Sequence, residues 1–120
     1  MTTEFEYGSA TGPVPELRHE IERKWPGHQT WIHYTFKAHK MYDWKVRFFP
    51  DQKATPGSRG SGLLVRGTNL MLIGNHSRRE MVATVHHEIL HLEHPEWDES
   101  RVEEATPYPT NPLTIPQASE

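Results

Sequence analysis

Between residues 15 and 25 the apolar positions Leu17, Ile21 and Trp25 recur every fourth residue among charged neighbours. That spacing puts all three on one face of a short amphipathic helix. Pro15 near its start and Pro26-Gly27 at its end mark its limits. From Gln29 to Phe36 the chain alternates instead, with Trp31, His33 and Thr35 set against Ile32, Tyr34 and Phe36. It alternates again from Asp43 to Phe49 through Trp44, Val46 and Phe48. Period-two alternation predicts a strand in each stretch. Gly57 to Gly62 reads as a flexible loop. After it, Leu63-Leu64-Val65 and Leu70-Met71-Leu72-Ile73 flank Arg66-Gly67-Thr68-Asn69 in a hairpin pattern. Four short strands are thus expected, in a largely antiparallel sheet.

Ser77-Arg78-Arg79-Glu80 has the spacing of a capping box, in which hydroxyl and carboxylate each satisfy a free backbone donor. A helix should start there and run to about His94, since Pro95 follows. Val82, Val85, Ile89 and Leu92 form its apolar stripe. Asp98 is a good N-cap for a second short helix, Glu99 to Ala105. Residues 1–13 and the proline-rich residues 106–120 have the composition of flexible ends. The fold class expected is α+β, with one domain over residues 14–105: helix, sheet, helix, helix.

Composition narrows the chemistry. The chain has 120 residues and no cysteine, which removes disulfides, thiolate nucleophiles and every Cys-ligated metal site. Its apolar runs are far shorter than the roughly 20 residues that span a bilayer, so no membrane partner is expected. The start, Met1-Thr2-Thr3-Glu4-Phe5-Glu6, carries neither a basic nor an apolar stretch, and a cytoplasmic location is the expectation. Charge is polarised. Lys37 to Arg79 holds nine basic and two acidic residues, while Glu80 to Glu104 holds eight acidic and one basic. The basic segment 37–79 is a candidate surface for nucleic acid or an acidic partner, though most such runs are solvated faces.

Four of the nine histidines, His86, His87, His91 and His94, fall within nine positions. On a helix, with about 100° between residues, His87, His91 and His94 lie roughly opposite the apolar stripe and Glu88 lies between the two faces. His87-Glu88-Ile89-Leu90-His91 is the H-E-x-x-H pattern. Residues four apart stack one turn above another, so two imidazoles can reach one tetrahedral Zn²⁺. The adjacent Glu88 can take a proton from a zinc-bound water and act as general base in peptide-bond hydrolysis. A catalytic zinc needs a third protein ligand. His94 is too far along the helix from His87, by a rise of about 10 Å. Glu99 and Glu103, which share one face of the following helix, are the leading candidates, with Asp98 and Glu104 behind them. His86 is expected to pack against the rim of the sheet or the second helix, Trp44 to be core, and Trp97 to cap the turn between the helices.

The stretch Trp44 to Ala105 resembles small gluzincin-type zincin metallopeptidases, the minigluzincins and short phage-type metallopeptidases in particular. Pro95, Asp98, Glu99 and Val102 sit where those families place a proline, an Asp-Glu pair and an apolar residue. The resemblance implies zinc as cofactor, a peptide or protein substrate, and Glu99 ahead of Glu103 as third ligand. ImmA/IrrE-like peptidases are similar, but their downstream Glu-x-x-Ala would put the ligand at Val102. SprT-like proteases use a third histidine, and none follows His94. The resemblance also casts Leu70, Met71, Leu72 and Ile73 as an edge strand that binds substrate backbone. It leaves His76, Arg101 and Tyr108 as candidate oxyanion donors and the tail 107–116 as a candidate zymogen plug.

Overall fold

In the computed structural model, residues 3–9, 11–51, 62–65 and 67–107 are described. The chain begins in the sheet. Glu4-Phe5-Glu6-Tyr7 alternates, and it forms β1 (Glu4–Ser9), which turns back on itself through the two-residue β2 (Gly12–Pro13). This corrects the expectation of a flexible stretch over 1–13: Phe5 and Tyr7 pack against the core and hold the strand in place. Helix α1 (Pro15–Lys24) follows as expected, with Leu17 and Ile21 buried.

The next segment corrects the sequence reading outright. His28–Ala38 is a helix, α2, not a strand. Its buried residues are His28, Trp31, Ile32, Thr35 and Phe36, the i, i+3, i+4, i+7, i+8 series of a helix. The apparent alternation arose because Ile32, Tyr34 and Phe36 stand two apart, although Tyr34 is exposed on the helix. Gly27, with φ of 74°, adopts the left-handed conformation that lets the chain turn from α1 into α2.

Three further strands complete the sheet: β3 (Lys45–Phe49), β4 (Gly62–Val65) and β5 (Leu70–Gly74). The strand order is β2-β1-β3-β5-β4. β3 lies parallel to both β1 and β5, with Phe5 opposite Val46 and Val46 opposite Met71. The expectation of a largely antiparallel four-stranded sheet is therefore replaced by a five-stranded mixed one. A parallel pair needs a crossover, and α1 and α2 supply it between β1 and β3. The hairpin of β4 and β5 is antiparallel, as expected. Because β5 lies between β3 and β4, Leu70, Met71, Leu72 and Ile73 are not an edge strand. Among the described residues the edges of the sheet are β2 and β4.

Helix α3 (Arg78–Glu93) starts on Ser77, whose hydroxyl accepts from the Glu80 N–H at 3.2 Å. The reciprocal arm of the capping box is replaced: the Ser77 N–H donates to His76 Nδ1 at 2.9 Å. Helix α4 (Glu99–Ala105) starts on Asp98, whose side chain accepts from the Arg101 N–H at 2.8 Å. The fold is α+β. One hydrophobic cluster joins Leu17, Ile21 and Trp25, Ile32 and Phe36, Val46 and Phe48, Met71 and Ile73, and Val82, Val85 and Ile89. Trp44 belongs to it, as expected. Alternate residues on β1 and β3 carry charge: Glu6 bridges Lys45 at 3.2 Å and Arg47 at 2.7 Å. Arg47 beside it draws the Glu6 carboxyl below its usual range. Among the described residues no helix is long and apolar enough to cross a membrane.

Candidate metal centre

The site is built on α3. Val82, Val85 and Ile89 seat the helix on the sheet, together with Met81, Ala83 and Thr84. Leu92, expected in that stripe, is 42% exposed, because the last turn of α3 runs past the cluster. Glu88 is drawn inward and only 7% of it is exposed. His87 and His91 stand one turn apart on the side of the helix nearer solvent, with ring centroids 4.8 Å apart.

A turn then brings α4 back against α3. The Trp97 N–H donates to the His94 carbonyl at 3.0 Å, and the two rings stack at 3.8 Å. The Arg101 guanidinium lies 4.5 Å over the Trp97 ring, so Trp97 holds the turn as expected. Val102, fully buried, anchors α4. This geometry carries Glu99 to the histidines. Glu99 Oε1 lies 2.7 Å from His87 Nε2, and Oε2 lies 3.0 Å from His91 Nε2.

The three donor atoms all fall within 4.8 Å of one another. The group could hold a metal ion if the Glu99 carboxylate, now in hydrogen-bond contact with both rings, drew back to admit one. The donor set, two imidazoles and a carboxylate, suits zinc as well. Glu103 and Glu104 are exposed and do not join the cluster, and Asp98 is occupied at the helix cap. His94 is held against Trp97 and faces Glu96 at 3.6 Å.

Burial pushes the Glu88 carboxyl up to about 7, and the nearby Glu99 charge adds to the rise. A cation held between these carboxylates would reverse that effect. No protein-family model matches this chain, and no curated protein or solved structure matches it. The chemistry of the site therefore rests on its residues alone.

Two contributors carry no mark in the sequence. Gly62, expected in a loop, opens β4 and lies directly against α3. A Cβ there would meet Thr84 Cγ2 at 2.2 Å and Glu88 Cγ at 3.3 Å. Gly62→Ala is therefore expected to cost about 1–3 kcal/mol of stability by overpacking, read by urea denaturation. An unchanged midpoint would show that β4 can move off α3 freely. Thr106, expected in the tail, is 8% exposed and reaches His87 Nδ1 at 3.1 Å. A glycine among glycines and a threonine beside a proline have no pattern that sets either one apart.

The remaining candidates from the sequence are spread out. His86 packs edge-on against Trp31 of α2 at 5.4 Å, and burial pushes its imidazole pKa down. Arg101 is engaged with Trp97 and His76 with the start of α3. Tyr108 and the candidate plug from residue 108 onward lie outside the described residues, as do Lys53, Arg59 and Arg66 of the basic segment.

Proposed function

We propose that this chain is a cytoplasmic zinc-dependent metallopeptidase of the gluzincin type, with His87, His91 and Glu99 as metal ligands and Glu88 as general base. The observation that carries the reading is the convergence of His87 Nε2 and His91 Nε2 on the two oxygens of one glutamate, beside a buried second glutamate. Zinc bound there would lower the pKa of a ligated water towards 7 and polarise a substrate carbonyl. Glu88 needs to be ionised to accept a proton and protonated to return it to a leaving amine. A cation bound beside it would favour the ionised form that accepts the proton, and its place beside the histidines puts it within reach of a water on that cation.

The open setting of Glu99, whose side chain is 62% exposed, suits a polypeptide substrate better than a small enclosed one. β4 is the strand beside Glu88, through Gly62, and its outer edge offers backbone donors and acceptors to an extended peptide. The substrate role first given to Leu70–Ile73 therefore passes to β4 in this reading.

Incubating the zinc-loaded protein with a mixed peptide library tests the proposal. Cleavage that stops on chelation and returns with zinc supports it. The alternative is a non-catalytic zinc module that docks nucleic acid or an acidic partner through the segment 37–79. It predicts one bound zinc, no cleavage, and DNA binding that weakens steeply with salt. Pairing of Lys45 and Arg47 with Glu6 takes charge from that segment, and the buried Glu88 has no role in such a module.

A further inference from the structure

Thr106 is where the two ligand-bearing helices are tied together. It closes α4, with its N–H donating to the Glu103 carbonyl at 3.2 Å. Its hydroxyl oxygen lies 2.6 Å from the Val102 carbonyl and 3.1 Å from His87 Nδ1. A hydroxyl has one proton to give and lone pairs to accept with, whereas a carbonyl only accepts. The short contact to Val102 therefore commits the Thr106 proton. Towards His87 the same oxygen can only accept, so Nδ1 must carry a proton there. A cation bound to the ring then has Nε2 as its ligand atom, the nitrogen that lies 2.7 Å from Glu99 Oε1.

We infer that Thr106 is a positioning residue of the metal centre. It fixes the Nδ1–H tautomer of His87, leaves Nε2 free for the cation, and couples that tautomer to the docking of the helix that bears Glu99. This inference rests on the zinc reading of the site. Its physical basis is general: the group that binds the far nitrogen of a ligand histidine sets the ring's orientation and basicity. Here one hydroxyl does this while also holding the last turn of α4, so a failure of the cap and a failure of the tautomer occur together.

Thr106→Val keeps the shape and removes the hydroxyl, and Thr106→Ser keeps the hydroxyl. Zinc affinity is read by competition with a chromogenic chelator, and the His87 ring proton by nitrogen-resolved NMR of the zinc-loaded protein. Thr106→Val is expected to weaken zinc binding by about 10–100-fold, while Thr106→Ser stays within about threefold of wild type. The wild type and Thr106→Ser should show a slowly exchanging proton on His87 Nδ1 that Thr106→Val loses. Equal affinity in Thr106→Val and wild type overturns the inference and leaves the zinc reading standing. A wild type that binds no zinc overturns the zinc reading itself. Should Thr106→Val not fold, the wild-type spectrum decides: zinc on Nδ1, or a freely exchanging Nδ1 proton, overturns the role given to Thr106.

Discussion

Glu88→Gln is expected to keep one zinc per chain and to lose peptide hydrolysis by about 10²–10⁴-fold, the usual contribution of a positioned general base. The substitution is close to isosteric. Glu88 is not among the three donors that converge, so the metal should stay. Glutamine cannot accept a proton at neutral pH, so under the proposed mechanism the activation of water and the protonation of the leaving amine would fail together. The comparison requires kcat to fall with the metal content unchanged. Hydrolysis that survives in Glu88→Gln at a rate near wild type would remove Glu88 from the mechanism. Loss of the zinc together with the activity would instead make Glu88 a ligand.

The same carboxyl gives the second large effect, on the metal-free protein. Its pKa is about 7 in the folded chain against 4.5 as the ordinary value. Between those limits the folded state binds more protons than the unfolded one, so stability falls as the pH rises. The fall extends from about pH 4.5 to pH 7 and amounts to on the order of 3 kcal/mol. His28 and His86 act in the opposite sense, because burial lowers both imidazole pKa values and favours their neutral forms as the pH rises. A difference measurement separates these contributions. Urea unfolding of metal-free wild type and Glu88→Gln at pH 5 and pH 8 should show the wild type losing stability relative to the variant. Adding zinc should shrink that difference, since a nearby divalent cation favours the ionised carboxylate. A difference independent of pH would mean that Glu88 titrates as an exposed glutamate does.

What the sequence made legible was local. The helix that bears H-E-x-x-H, its serine cap, the Asp98 cap and the β4–β5 hairpin each depend on residues within a few positions of one another, and all of them form. What it hid was long-range or two-valued. Trp31, Ile32, Thr35 and Phe36 fit a helical series, but with Tyr34 between them they also fit alternation, and only burial against the cluster separates the two readings. Phe5 and Tyr7 form a strand because β3 lies beside them, some forty residues further on. Parallel and antiparallel pairing leave no different mark on so short a run. Glu99 and Glu103 are equivalent by helical spacing. The choice falls to Glu99 because the Trp97 turn and the buried Val102 set where α4 begins and which part of it meets α3. The site is thus half motif and half tertiary geometry: His87, Glu88 and His91 can be read from their spacing, whereas Glu99, Thr106 and Gly62 owe their places to packing.

The most direct test of the proposed metal centre is the zinc content of the purified protein beside Glu99→Ala and Glu103→Ala, measured by elemental mass spectrometry after mild chelator washing. One zinc per chain in the wild type and in Glu103→Ala, lost in Glu99→Ala, is the predicted result. No zinc in the wild type after reloading, or full retention in Glu99→Ala, would contradict it.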